Sequence, residues 1–308
     1  LELRRRQGQR RARSETVSGL RDQRILFLGY GFVAMALWKR LRGAGWRAWG
    51  TFRREDQARE LMQDGVDGVR WRESPFDRSV IDGAGAILIS TPPGARGCPA
   101  LAAAGPSLAG AAPKWIGYLS TNGVYGDHGG AIVDETSPLL ATSARGLARI
   151  AAENAWREAA SAQGHHLVVF RLPGIYGQGR SAFDQIREGR AQRIFKPGQV
   201  FSRMHVDDIA AALEASLAMP DAGALFNLAD DEPAPPQDVI EYACRLIGAE
   251  PPPLVPFEEA ALSDMARSFY ADNKRVSNAL MKRALGVSLL YPTYREGLAA
   301  ILDEERKA

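Results

Sequence analysis

Directly after the apolar run Ile25–Leu28 comes Gly29-Tyr30-Gly31-Phe32-Val33-Ala34, and a helical pattern over Val33–Arg42 opens on its last residues. A tight turn between a buried strand and a helix restricts the fold more than any other stretch of this chain. Gly29 allows the sharp reversal, and Gly31 lets a pyrophosphate approach the backbone. Ala34 keeps helix close to strand, while Phe32 and Val33 stand at the helix N-terminus that faces the phosphates.

The alternation begun there continues. Strands are predicted at Ile25–Leu28, Arg47–Thr51, Gly68–Trp71, Ala86–Ser90, Trp115–Ser120 and His166–Arg171. Helical patterns lie between them at Val33–Arg42, Glu55–Gln63, Pro99–Ala109 and Ser143–Ala162. Uninterrupted apolar runs such as Ala86–Ile89 are what parallel strands covered on both faces require. The fold expected is therefore α/β, a Rossmann doubly wound parallel sheet over residues 24–180. A smaller C-terminal α+β substrate-binding part over 181–308 follows, with segments returning to the first domain. Within it a helix is predicted at Val206–Leu217, a strand at Leu225–Leu228 and a helix at Pro236–Ile247.

Composition narrows the class. At 308 residues, 45% hydrophobic and 24% charged, the chain can bury a substantial core. Its longest uncharged apolar stretch, Ile25–Trp38, has 14 residues, too few for a membrane helix of about 20. Cys98 and Cys244 fit a reducing, cytoplasmic setting, and with four histidines no metal-ligand spacing occurs. The net charge of +3 is set by residues 1–23, where seven arginines face Glu2, Glu15 and Asp22. That segment is expected to be a disordered basic tail. The remainder is close to neutral, so neither nucleic acid nor a membrane is an expected partner, and a small molecule is.

The end of the second strand bears on cofactor choice. An NAD site places a carboxylate there to bind ribose hydroxyls. Here the run is Gly50-Thr51-Phe52-Arg53-Arg54-Glu55. Arg53 and Arg54 would attract a 2′-phosphate, which favours NADP over NAD, unless they only solvate the strand end. Thr51 joins them as a candidate contact, as do Thr91 and Pro92 after the fourth strand.

Several further segments fall in a familiar order. Thr121 stands three residues before Val124-Tyr125-Gly126, and Arg145-Gly146-Leu147-Ala148-Arg149 follows, with Thr121 and Arg145 separated by 24 positions. Arg171-Leu172-Pro173-Gly174-Ile175-Tyr176-Gly177 and Phe201-Ser202-Arg203-Met204-His205-Val206-Asp207-Asp208 come later. Together with the glycine turn they resemble the extended short-chain dehydrogenase/reductases, the NAD(P)-dependent epimerase/dehydratase family, over about residues 24–300. ISTPPG, FNLADDEPAP and DNKRVSN resemble an atypical subgroup that often lacks a complete Ser-Tyr-Lys set.

The resemblance implies an NAD(P)-dependent oxidoreductase or epimerase acting on a small polar substrate, and a homodimer. It implies that Pro173 lines the nicotinamide, that Thr121 contacts the substrate oxygen, and that Asp207 caps the helix from Val206. Tyr176, Arg180, Arg203 and His205 are substrate-side candidates. Where the family has Tyr and Lys, this chain has Arg145 and Arg149. A guanidinium stays protonated at any working pH, so it cannot cycle a proton, although it binds anions and stabilises oxyanions. Arg145 could then orient an anionic substrate and Arg149 hold the ribose, leaving Tyr125 or water to move the proton. An exposed i,i+4 pair is the plainer alternative. A cofactor sensor without turnover is the second functional reading. A formal Tyr-x-x-x-Lys at Tyr270–Lys274 is read as chance.

Overall fold

The computed structural model describes residues 23–71 and 76–307. The basic tail expected over 1–23 lies outside them except for Gln23. Every residue of Ile25–Leu28 and Ala86–Ile89 is fully buried, because each strand is covered on both faces.

The first half alternates as expected: β1 (Arg24–Leu28), α1 (Phe32–Gly43), β2 (Arg47–Phe52), α2 (Glu55–Gln63), β3 (Asp67–Arg70), α3 (Arg78–Asp82), β4 (Ala86–Ile89), α4 (Pro99–Leu108) and β5 (Trp115–Thr121). Then come β6 (Ile132–Val133), α5 (Ala144–Ser161), β7 (His166–Leu172) and β8 (Gly174–Tyr176). The remainder holds α6 (Ala182–Arg187), β9 (Arg193–Phe195), β10 (Arg203–His205), α7 (Val206–Ala218), β11 (Leu225–Asn227) and α8 (Pro236–Ile247). It ends with β12 (Leu254–Pro256), α9 (Asp264–Phe269), β13 (Arg275–Val276), α10 (Ala279–Leu285) and α11 (Tyr294–Glu305).

Seven strands form one parallel sheet in the order β11-β7-β5-β4-β1-β2-β3. The order reverses between β1 and β4, so the crevice beyond their carboxyl ends is where a doubly wound sheet binds ligands. Two core layers flank the sheet. One joins β1 to α1 and α7 through Leu37, Leu41, Ile209 and Leu213; the other joins β4 to α4 and α5 through Ala104, Leu108 and Trp156. A third cluster ties α6, α8 and α11 together through Phe183, Ile240, Tyr294 and Leu298.

Later segments form separate short parallel pairs beside the large sheet: β10 with β8, β12 with β9 and β13 with β6. The helix at Val206 is capped differently from expectation. His205 Nδ1, not Asp207, accepts the helical amide, that of Asp207 at 3.2 Å. Asp208 holds the parts together instead, its carboxylate accepting from the amides of Leu290 and Tyr291 at 2.7 and 2.9 Å.

Candidate active site and cofactor cleft

The glycine turn is built around a backbone only glycine can supply at Gly29. Its φ is +96°, and an added Cβ would lie 2.6 Å from Ser90 Oγ. Ser90 Oγ donates to the Gly29 carbonyl at 2.7 Å, and the Gly29 amide donates to Thr51 Oγ1 at 2.8 Å. Thr51 is buried, and its hydroxyl in turn donates to the Phe27 carbonyl at 3.3 Å. Thr51 therefore holds the turn in place from behind. Gly31 faces the opposite way: a Cβ there would meet nothing within 4 Å. Gly31 is also the N-cap of α1, with no side-chain cap and no acidic residue in the first turn, so amide donors are left for an anion. Val33 and Ala34 are buried against the sheet, and Phe32 is half-buried at the helix start.

Beside this turn a cavity of about 210 Å³ is lined by Tyr30, Thr51, Arg53, Glu60, Trp71 and Thr91 among others. Arg53 lies with its guanidinium carbon 5.2 Å from the Trp71 ring centroid. Arg54, the other expected 2′-phosphate ligand, turns outward and pairs with Asp56 at 2.9 Å. Thr91 Oγ1 is buried with no partner among the described residues. Pro92 is exposed and Pro173 half-buried. An orphaned hydroxyl, open space before Gly31 and an arginine without a carboxylate partner among the described residues together fit a dinucleotide.

The other end of the crevice begins at Thr121, the last residue of β5. Its Oγ1 accepts from the Gly123 amide at 3.1 Å and starts the 3-10 turn Asn122–Tyr125, which leaves its own hydrogen to donate outward. The first turn of α5 packs on this turn through Gly146, where a Cβ would lie 3.2 Å from the Gly123 carbonyl oxygen and 2.6 Å from Ala141 Cβ. Arg145 belongs to that first turn of α5. It is exposed, with its guanidinium carbon 5.1 Å from the Phe269 ring centroid on α9. One turn on, Arg149 Nη1 donates to the Leu119 carbonyl. Leu119 lies one residue past the last β4–β5 pair, Ile89–Tyr118, so this guanidinium sits at the carboxyl edge of the sheet.

Tyr125, expected as a candidate proton donor, is engaged in the core. It is fully buried, and its hydroxyl donates to Asn227 Oδ1 at 2.7 Å while accepting from Arg171 Nη1 at 3.0 Å. Burial pushes its pKa up. Arg171 also pairs with Glu153 at 2.8 Å, and Glu153 accepts from Ser120 Oγ at 2.5 Å. Sequence spacing gave no sign that α5, β5, β7 and β11 meet in this buried network.

Three substrate-side candidates are held by contacts with the C-terminal segments. The Tyr176 hydroxyl faces α11, 3.4 Å from the Thr293 carbonyl, and burial raises its pKa. The buried His205 ring lies 5.2 Å from Tyr176 and 4.2 Å from Tyr291. Burial lowers its pKa. Arg203 Nη2 donates to the Ala234 carbonyl at 3.2 Å, against Tyr294 at 5.4 Å. Arg180 stays exposed, 5.6 Å from the Phe32 ring, which puts it on the cofactor side.

The two ends of the formal Tyr-x-x-x-Lys, Tyr270 and Lys274, are held in different surroundings. Tyr270 packs between Phe201 and Phe257 at 5.3 and 5.1 Å. Lys274 nonetheless returns to the site region, donating to the Gly126 carbonyl at 2.8 Å. Trp71, Glu60 and Phe269 were not singled out from the sequence. Among the described residues no group of three or more His, Cys, Asp or Glu could hold a metal ion, and no helix is long and apolar enough to cross a membrane.

The turn, crevice and Thr-x-x-Val-Tyr-Gly segment define a dinucleotide-fold protein of the extended reductase kind. The family model for the NAD dependent epimerase/dehydratase family matches residues 107–229. A conserved protein of unknown function from Silicibacter pomeroyi is 49% identical, with 91% of this chain and 98% of that one covered and a TM-score of 0.86. The chain belongs to the NAD-dependent epimerase/dehydratase family. UDP-glucuronic acid 4-epimerase from Bacillus cereus, solved with NAD and a fluorinated substrate analogue, shares the fold at 17% identity. There 92% of this chain and 99% of that one are covered, with a TM-score of 0.73. MoeE5, solved with UDP-glucose and NAD, is 20% identical over 92% and 98%, with a TM-score of 0.74. No curated protein matches.

Proposed function

We propose that the protein is an NADP-dependent oxidoreductase or epimerase of the extended short-chain type, acting on a small polar substrate with an anionic group. The observation that carries this reading is the carboxyl edge of the parallel sheet, furnished at two places. One has the glycine turn, the orphaned Thr91 hydroxyl and Arg53 against Trp71; the other has Thr121 at the end of β5, on whose turn α5, the helix of Arg145 and Arg149, packs. When bound, the dinucleotide supplies or takes up a hydride. Gly31 and the start of α1 would hold its pyrophosphate, Arg53 its 2′-phosphate, Thr91 a ribose or phosphate oxygen, and Arg149 and Pro173 its nicotinamide end. Relatives hold NAD, and Arg53 is what favours the phosphorylated form here.

Thr121 would donate its hydroxyl hydrogen to the substrate oxygen, and Arg145 would bind the anionic group. With Tyr125 and Tyr176 buried and bonded elsewhere, the proton passes through Thr121 or a water beside it. The test is NADPH oxidation across a panel of carbonyl and sugar-nucleotide substrates. Turnover that Thr121→Val abolishes is expected; undiminished turnover in that variant would overturn the assignment.

The buried tyrosines also favour a second reading, a dinucleotide-binding sensor without turnover. Tight NADPH binding with no turnover on any panel member would support it over the first.

A further inference from the structure

Three arginines converge on the ends of β2 and β3. Arg54 pairs with Asp56 at 2.9 Å, and Arg70 bonds Glu55 while lying 5.4 Å from the Phe52 ring. Arg53 alone of the three lines the cavity, and among the described residues it makes no ion pair. What holds it is aromatic. Its guanidinium carbon lies 5.2 Å from the centroid of Trp71.

Trp71 is itself fixed from two sides. Its amide donates to the Phe52 carbonyl at 2.6 Å, just past the last β2–β3 pair, Phe52–Arg70. The indole also meets Phe76 edge-on, with centroids 5.8 Å apart and planes at 80°. The backbone of Arg53 is held too, its amide donating to Gln57 Oε1 at 3.0 Å. Both ends of this side chain are therefore placed before any ligand arrives.

The same cavity wall carries Glu60. A carboxylate there repels a 2′-phosphate and offers a loose arginine an alternative partner. The indole face competes for the guanidinium at the cavity wall.

We propose that Trp71 is a positioning residue for dinucleotide choice: by stacking on Arg53 it keeps the guanidinium where a 2′-phosphate binds. The inference rests on the NADP reading above and adds to it a residue that touches no phosphate.

The test measures NADPH and NADH dissociation constants on the full chain by reduced-nicotinamide fluorescence. Wild type should favour NADPH. Arg53→Ala should weaken NADPH binding roughly 10- to 100-fold and leave NADH within about twofold, since only the charged hydrogen bonds to the 2′-phosphate are lost. Trp71→Ala should weaken NADPH about fivefold, with NADH again within about twofold, and Trp71→Phe should retain most of the preference. Adding Trp71→Ala to Arg53→Ala should change NADPH binding no further, because the two act through one contact. If Trp71→Ala fails to fold, Trp71→Leu keeps apolar volume against Phe76 without a π face and carries the same expectation.

Equal loss for both dinucleotides, or additive loss in the double variant, would overturn the inference. Wild type that favours NADPH with Trp71→Ala unchanged would overturn it alone. Wild type that favours NADH would overturn the NADP reading and this inference with it.

Discussion

The Tyr125 hydroxyl donates to Asn227 Oδ1 at 2.7 Å, joining residues 102 positions apart beneath the site. The contact turns what looks like a spare proton donor into part of the scaffold. Tyr125→Phe leaves the Asn227 oxygen and one Arg171 donor unsatisfied. A loss of about 1–3 kcal/mol in urea unfolding is expected, with NADPH affinity unchanged. A variant as stable as wild type, but lacking turnover, would return Tyr125 to the chemistry.

Glu153 and Arg171 form the buried ion pair under the same network, at 2.8 Å. Glu153→Ala strands a buried guanidinium and should cost about 3–5 kcal/mol by denaturant unfolding. A cost below 1 kcal/mol, on the scale of an exposed pair, would mean that water reaches Arg171.

Lys274 links the C-terminal part to the loop after Tyr125. Its amine donates to the Gly126 carbonyl, while burial lowers its pKa. Lys274→Met should lose about 1–3 kcal/mol of stability and raise amide exchange around Gly126, with dinucleotide binding within about twofold. Unaltered exchange there would show that this contact does not hold the loop.

Much of the fold was legible because buried parallel strands and their helices each follow one simple pattern. The runs at Ile25–Leu28 and Ala86–Ile89 carry that pattern plainly. β6, β9, β12 and β13 have two or three residues each, too few to show a period, and they form only through distant partners. Residue types of the candidate site were named from the sequence as well: the glycine turn, Thr121, Arg145 and Arg149. Side-chain direction was not. Arg53 and Arg54 are adjacent and identical, yet Arg54 pairs with Asp56 while Arg53 lines the cavity. Tyr176 and His205 looked available until α11 and Tyr291 covered them.

Asp230 gives a pH signature. Burial pushes its carboxyl from the ordinary 3.8 up to about 8, against the pull of Arg203. The folded chain then keeps a proton that the unfolded chain releases. Its contribution is complete below the ordinary carboxyl range and is lost as pH rises towards 8. From this one proton the slope is at most about 1.4 kcal/mol per pH unit. Asp230→Asn should flatten the fall in urea midpoint between pH 4 and pH 8. An unchanged slope would assign that fall to other groups.

A crystal structure of the protein with NADPH should show the pyrophosphate at the Gly29–Gly31 turn, the 2′-phosphate within hydrogen-bond reach of Arg53, and the nicotinamide end between Pro173 and Thr121. A dinucleotide bound elsewhere, or one whose 2′-phosphate points away from Arg53 into solvent, would contradict this placement.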